Sequence, residues 1–254
     1  MEGNTSETVR ATETSIAVLS ALETLGGAGT LTDLTEVVEF SKSTVYKHLR
    51  TLEAGGLVVR RDDTYHIGLR CLELGAIAQR EDGLYETAKP EVRQMAVETG
   101  ELANLMVEEQ GYGIYIHTPA GDRAVKLDTR LGKRIHLHKT AVGKALLSSM
   151  SDERVDTIVD RHGLPAETDN TITDRAALFD ELDAIREQGV AHDIEERVDG
   201  TGCIGVPLDT GPRREAAISI TAPIHRLKAG DTEQEMIEMV KQTANVIEVN
   251  LAHE

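Results

Sequence analysis

Between residues 41 and 61 five basic residues (Lys42, Lys47, Arg50, Arg60 and Arg61) stand against a single acid, Glu53. Lys and Arg gathered in this way suit a phosphate backbone, whose charge they neutralise. A helix running from Ser41 to about Ala54 and stopped by Gly55-Gly56 places Val45, Leu49 and Leu52 within about 60° of one another. Ser43, Lys47 and Arg50 then fall on the opposite side, flanked by Thr44 and Tyr46. Hydroxyls and long cations with no carboxylate among them are the chemistry that reads base edges in a major groove. Ser41 is positioned to cap this helix by accepting from a first-turn N–H. Tyr46 and the later Tyr65 are each read as either a phosphate donor or a residue at the edge of a core.

A second cationic group, Lys133, Arg134, His136, His138, Lys139 and Lys144, interrupts an otherwise acidic stretch and is punctuated by Gly132 and Gly143. A glycine-containing turn leading into a helix N-terminus makes an anion site from backbone N–H groups. The same residues could instead form a surface patch paired with nearby acids. His136 and His138, two apart on a strand, would share a face and with Asp193 or Cys203 could in principle hold a metal, but no tight ligand cluster supports that reading. Asp193, Glu195 and Glu196 offer paired carboxylates. No nucleophile elbow, phosphate loop or zinc pattern accompanies them, so the sequence is read as that of a protein that is not an enzyme and uses no cofactor.

The elements that must position these groups fall into two sets. Helices are expected over 14–25, with Ile16, Leu19, Leu22 and Leu25 as the buried stripe, and over 31–38, with Leu31, Leu34, Val37 and Val38. After the basic helix, Leu57-Val58-Val59 and Thr64-Tyr65-His66-Ile67 flank Arg60-Arg61-Asp62-Asp63 as a hairpin, a wing whose arginines would meet phosphate or the minor groove. The first domain spans 12–68. A mostly helical linker follows over 69–87, and its Leu69, Leu72, Leu74, Ile77 and Leu84 are too apolar for a solvated spacer, so it should pack on a second copy or on the first helix. Cys71 reads as buried filler there. In the remaining domain, 88–251, strands are expected at 102–109, 112–118, 124–128, 202–208 and 215–221, with helices at 89–99, 140–149, 151–160, 173–188 and 232–249. Antiparallel strands with helices packed on them make an α+β domain.

The chain of 254 residues carries 27 Lys and Arg against 44 Asp and Glu, a formal charge of −17. Residues 1–80 hold 8 basic and 11 acidic residues, whereas 81–254 hold 19 and 33, so the acidity belongs mainly to the second domain. Such a surface suits high salt. Trp is absent and two cysteines lie far apart, which excludes a disulfide framework. The polar N-terminus and the lack of a long apolar run read as cytoplasmic, with no membrane partner.

The sequence resembles the IclR family of prokaryotic transcription regulators from about residue 12 to 250. The resemblance is carried by SKSTVYKHLRTLEAGGLV (41–58), YHIGLRCLELG (65–75), LHKTAVGKALL (137–147), GVAHDIEERVDGTGCIGVPL (189–208) and AAISITAP (216–223) in this order. The acidic composition is similar to that of halophilic archaeal members. The resemblance implies a winged helix-turn-helix, a linker helix and a GAF/PAS-like effector domain. It implies dimers or tetramers on palindromic double-stranded operator DNA, controlled by a small, often carboxylate, metabolite. By position it implies effector contacts at Gly132 and Lys133, then Asp193, Cys203, Ser219 and Thr221; relatives often carry serine where Thr221 stands. Ser219 and Thr221 lie two apart on one strand and so share a face beside Cys203, which agrees with a small polar pocket. Two other readings remain: a constitutive DNA binder with a structural C-terminal domain, and a sensor or enzyme that keeps a winged helix for protein contact.

Overall fold

The computed structural model describes residues 8–81 and 83–253. The chain divides into two units, residues 1–78 and 79–254. The first opens with α1 (Arg10–Thr24), β1 (Ala28–Thr30), α2 (Leu31–Val37) and α3 (Lys42–Ala54), followed by the hairpin β2 (Val58–Arg61) and β3 (Thr64–Ile67). Its core is Val18, Ala21 and Leu22 of α1, Leu34 of α2, Val45, Leu49 and Leu52 of α3, and Val58 and Tyr65 of the hairpin. The α3 stripe is the one its spacing predicts. In α1 the stripe is rotated: Thr14, Val18, Ala21 and Leu22 are buried, at the i, i+4, i+7, i+8 spacing of one face. Ile16, expected inside, is 57% exposed, and Val37 of α2 is exposed too.

The sequence reading missed β1. Ala28–Thr30 pairs antiparallel with Thr64–His66, which gives a three-stranded sheet in the order β1-β3-β2. Thr30 then turns directly into α2. Its Oγ1 accepts from the Asp33 N–H at 3.2 Å, and its own N–H donates to Asp33 Oδ2 at 2.8 Å, a reciprocal cap that satisfies two orphan donors.

Next comes α4 (Arg70–Gln79). The helical linker expected to run to about residue 87 ends here, and Gly83, at φ 78°, starts a new helix. No residue of α4 is buried; Leu72, Leu74 and Ile77 stand exposed, as does Leu69 before it. Cys71 is half-buried, with its thiol 3.6 Å from the Leu57 carbonyl, rather than buried as expected.

The second unit is built on α5 (Leu84–Thr99), β4 (Leu102–Glu109), β5 (Tyr112–His117) and β6 (Arg134–His136), then α6 (Ala141–Ser148), α7 (Asp152–His162) and α8 (Arg175–Gln188). It closes with β7 (Ala191–Ile194), β8 (Thr201–Leu208), β9 (Ala216–Pro223), the short α9 (Ile224–Leu227) and α10 (Thr232–Ala252). Six strands form one antiparallel sheet in the order β6-β5-β4-β9-β8-β7. The strand expected at 124–128 is absent; that stretch is irregular, and β6 starts ten residues further on, where Arg134–His136 pairs with Tyr112–Ile114. His138 therefore lies beyond the strand, in a single 3-10 turn over Leu137–Lys139.

Strand alternation sends side chains to two separate cores. Leu105, Val107, Ile204, Val206, Ile218 and Ile220 pack with α5 and α10. Met106, Tyr115, Ala191, Cys203 and Ala217 pack with α6, α7 and α8. With both faces covered, β4, β8 and β9 are almost continuously buried, which is why they read as apolar runs rather than as alternating ones. The first turn of α6 lies backbone to backbone on β8. A Cβ on Gly205 would come within 2.8 Å of the Ala141 carbonyl carbon, so only glycine allows that approach.

Candidate functional site

In the N-terminal unit, Ser41 caps α3 by accepting from the Thr44 N–H at 3.2 Å, and its hydroxyl also contacts those of Ser43 (3.0 Å) and Thr44 (2.9 Å). Lys42 is tied back to α2 through Thr32 Oγ1 at 3.3 Å. Ser43, Tyr46, Lys47 and Arg50 are exposed on the face opposite Val45, Leu49 and Leu52. Among the described residues neither Lys47 nor Arg50 has a side-chain hydrogen bond or ion pair. Tyr46 thus belongs to the outer face, whereas Tyr65 belongs to the core.

The hairpin is less free. Arg60 donates from Nε to the Asp62 carbonyl (2.7 Å) and from Nη2 to Asp63 Oδ1 (2.9 Å), and its guanidinium lies 5.6 Å from the Tyr65 ring. Arg61 is exposed beside it. Asp62 takes a positive φ of 53° to make the tight turn, so two arginines and two aspartates share the tip.

In the C-terminal unit the antiparallel register assembles Asp193, Cys203 and Thr221 into one row across three strands: Asp193 pairs with Cys203, and Cys203 pairs with Thr221. Ser219 pairs with both Gly205 and Asn104 in the next row. All face the α6 side and line a cleft completed by Tyr115, Thr140, Val142 and Arg197, among others. Cys203 Sγ lies 3.0 Å from Thr221 Oγ1, and Asn104 Nδ2 donates to Ser219 Oγ (3.3 Å) and Thr221 Oγ1 (3.4 Å). The Asn104 amide oxygen is buried without a partner among the described residues. As it stands the cleft has room for about one water molecule.

Burial sets the protonation states here. It raises the Asp193 carboxyl above the usual carboxylate range, although the Glu196 N–H donates to its Oδ1 at 2.8 Å and Lys144 and Arg197 lie near. It also raises the Tyr115 hydroxyl and, together with the charge of Asp193, the Cys203 thiol. A thiol held neutral is a hydrogen-bonding wall, not a nucleophile. The described residues contain no group of three His, Cys, Asp or Glu side chains able to hold a metal ion.

The second cationic group is dispersed among acids. Lys144 is fully buried and pairs with Glu196 Oε1 at 2.7 Å and Glu181 Oε1 at 2.8 Å. Burial outweighs that pairing and pushes the Glu196 carboxyl up to about 7. Lys139 is buried against Glu167 at 3.3 Å, and Lys133 pairs with Asp128. His138 is buried, lowered to about 4 by desolvation, with Nε2 3.1 Å from the Pro165 carbonyl. Gly132 has φ 77°, but its N–H donates to the Tyr115 carbonyl at 2.8 Å, which leaves it no donor for an anion. Gly132 does not line the cleft with Asp193, Cys203, Ser219 and Thr221, and Lys133 lines a neighbouring, wider hollow with Arg134, His136 and Lys139. Arg197 borders both spaces.

Sequence reasoning overlooked Asn104, Tyr115, Thr140 and Arg197 in the cleft. Asn104 carried a signal, as the one amide in the apolar run LANLMV; Arg197, one cation in the run DIEERVDG, carried another.

A helix-turn-helix with a hairpin, followed by a helix-covered antiparallel sheet enclosing a small polar cleft, defines a two-part DNA-binding transcription regulator. Known proteins bear this out. The IclR helix-turn-helix domain matches residues 12–62, and the bacterial transcriptional regulator IclR C-terminal domain matches residues 77–249. The chain belongs to the IclR family of ligand-responsive transcription regulators.

It is 30% identical over 227 residues to a Halobacterium salinarum protein named as a probable HTH-type transcriptional regulator ArcR, covering 87% of this chain and 86% of that one. It is 31% identical over 248 residues to the HTH-type transcriptional repressor AllR of Escherichia coli K12, covering 95% and 90%. The crystal structure of the Thermotoga maritima IclR superposes with a TM-score of 0.73 at 28% identity, over 95% of this chain and 97% of that one. An IclR homolog from Microbacterium hydrocarbonoxydans, crystallised with 4-hydroxybenzoate, shares the fold with a TM-score of 0.83 at 21% identity, over 96% and 100%. Among the described residues no helix is long and apolar enough to cross a membrane.

Proposed function

We propose that α3 enters the major groove of operator DNA and that a small carboxylate held in the cleft of the second unit controls the affinity of that contact. The observation that carries the first half is the outer face of α3, where Lys47 and Arg50 are exposed beside the hydroxyls of Ser43 and Tyr46 with no internal acid to neutralise them. Cations without an internal partner are available to phosphate and to base edges. Arg61 adds a wing contact; Arg60 first has to leave Asp63. Ser41, Lys42 and Thr44 set the helix start against the backbone.

The control half rests on Asp193, Cys203, Ser219 and Thr221, polar groups brought together on one face of a GAF/PAS-like sheet; Gly132 and Lys133 lie outside this group. A ligand there shifts DNA affinity only by its difference in affinity for two arrangements of the protein. The exposed Leu69, Leu72, Leu74 and Ile77 support self-association through the start of α4, as a dimer that would offer two α3 helices to a palindromic site, with tetramers as a further step. The acidity of residues 81–254 and the relative from Halobacterium salinarum support a high-salt interior.

Genome-wide occupancy of the protein, with and without Lys47→Ala plus Arg50→Ala, tests the reading. Sharp palindromic sites that vanish in the variant are expected; sites that persist would place the reader elsewhere. The narrowness of the cleft favours a second reading, a constitutive DNA binder with a closed C-terminal domain. Operator affinity that stays fixed at saturating ligand would select it.

A further inference from the structure

The cleft borders one buried cation whose occupant is already visible. The Arg197 side chain is 8% exposed; its Nη1 donates to Thr129 Oγ1 at 3.0 Å, and its Nη2 pairs with Asp128 Oδ1. The other oxygen of Asp128 pairs with Lys133 Nζ. Burial alone would raise the Asp128 carboxyl, but the Lys133 hydrogen bond and the charges of Arg197, Lys133 and Arg130 hold it below the usual range. A carboxylate between a guanidinium and an ammonium is how proteins commonly grip small acids. Here the carboxylate comes from the irregular stretch between β5 and β6, and Asp128 itself is well exposed. Asn104 also lines the cleft, and its amide oxygen is buried with no donor among the described residues, an arrangement folded proteins rarely leave unfilled.

We infer that Arg197 is the residue that grips the acidic group of the effector, that Asp128 holds its place in the unliganded protein, and that the effector carries a hydroxyl which donates to Asn104: a short hydroxy acid. This rests on the reading of the cleft as the effector site and deepens it. When the ligand carboxylate takes Arg197 Nη2, Asp128 is displaced and the stretch before β6 keeps only the Thr129 bond to that guanidinium. Binding at the cleft thereby changes a segment outside it, and the competition with Asp128 sets a threshold concentration for the effector.

The test titrates the full chain calorimetrically with two pairs of probes, acetate with glycolate and propionate with lactate. In each pair the hydroxy acid should bind more tightly to the wild type. Asp128→Asn removes the competing charge and should tighten acid binding about tenfold, whereas Arg197→Gln should weaken it about tenfold or more, with Arg197→Lys between. Asn104→Ala should erase the preference within each pair and leave the parent acid unchanged. Melting without ligand reports whether each variant folds; Asp128, being exposed, gives the arm least exposed to folding loss. Acids that bind wild type, Asp128→Asn and Arg197→Gln equally would overturn the role of Arg197 and leave the cleft reading standing. Absence of binding by all four probes to both wild type and Asp128→Asn would overturn the carboxylate reading and this inference with it.

Discussion

Lys47 and Arg50 on α3 and Lys144 and Arg197 in the second unit are the same residue types in opposite circumstances. The first pair stands in solvent on a face with no bonded acid. The second pair is buried, each cation held by carboxylates from distant parts of the chain: Glu181 and Glu196 for Lys144, Asp128 for Arg197. Removing a charge from the first pair takes away an external contact and little else. Removing Lys144 leaves the buried Glu196 without compensation, whereas removing Arg197 frees an exposed carboxylate, Asp128. The difference teaches that a run of basic residues in a sequence says nothing of its use until its acids are located: the cluster from Lys133 to Lys144 looked like an anion site and is mostly internal cement.

The comparison is tested most sharply at Lys144. Lys144→Met should cost about 3–5 kcal/mol in urea unfolding at pH 8, because Glu196 and Glu181 lose their shared partner. The cost should shrink at pH 5, where Glu196, raised to about 7, takes up a proton. A loss below about 1 kcal/mol at pH 8 would put Lys144 in the same class as surface cations. Next in size, Lys47→Ala and Arg50→Ala should each weaken operator binding by about 1–3 kcal/mol in a titration, with the melting temperature unchanged. A fall in melting temperature matching the loss of binding would erase the contrast.

A pH series separates the regions further. The Glu196 carboxyl is raised in the fold, so its stabilising share is full below the ordinary carboxylate range and is lost as pH climbs through about 7. His138, lowered to about 4 by burial, acts in the opposite sense: its share is present above the ordinary histidine value and is lost as pH falls towards 4. Glu196→Gln should therefore remove a decline of roughly 1–2 kcal/mol between pH 5 and 7.5 and expose the His138 rise. Unfolding curves for the variant that keep the wild-type pH profile would show that Glu196 is ionised throughout. The smallest effect belongs to Ser41→Ala, about 1 kcal/mol of stability from the lost cap of α3, read by thermal unfolding. An equal loss from Ser43→Ala would mean that the cap is not specific to Ser41.

What the sequence disclosed depended on whether one local rule governed the element. The periodicity of Val45, Leu49 and Leu52 and the cap at Ser41 were enough for α3, and the Gly55-Gly56 pair marked its end. For α1 the same rule failed in phase: Thr14 and Ala21 are buried while Ile16 is exposed, which no hydrophobicity pattern announces. The strand β1 was too short to show a period and is made by its partner β3. In the second unit the central strands were plain, but β6 was placed too early because Arg134–His136 is polar and pairs only along an edge. The row Asp193, Cys203, Thr221 comes from resemblance rather than pattern; the register across β7, β8 and β9 explains it physically. Arg197 and Asn104 needed three dimensions, since each is a single polar residue whose meaning lies in what faces it.

Gly205 and Gly143 give the cleft a mechanical character. A Cβ on Gly143 would fall 2.1 Å from the Leu137 carbonyl oxygen, just as one on Gly205 would strike Ala141. Peptide planes press on peptide planes at both places, with no rotamers between them to yield. At Gly205 the strand therefore meets the first turn of α6 with no side chain between the two backbones. Lys144 lies on the same helix and joins it to Glu181 and Glu196. The glycines make this joint a stiff coupling, in which a small guest is felt as a displacement instead of being absorbed as a local repacking.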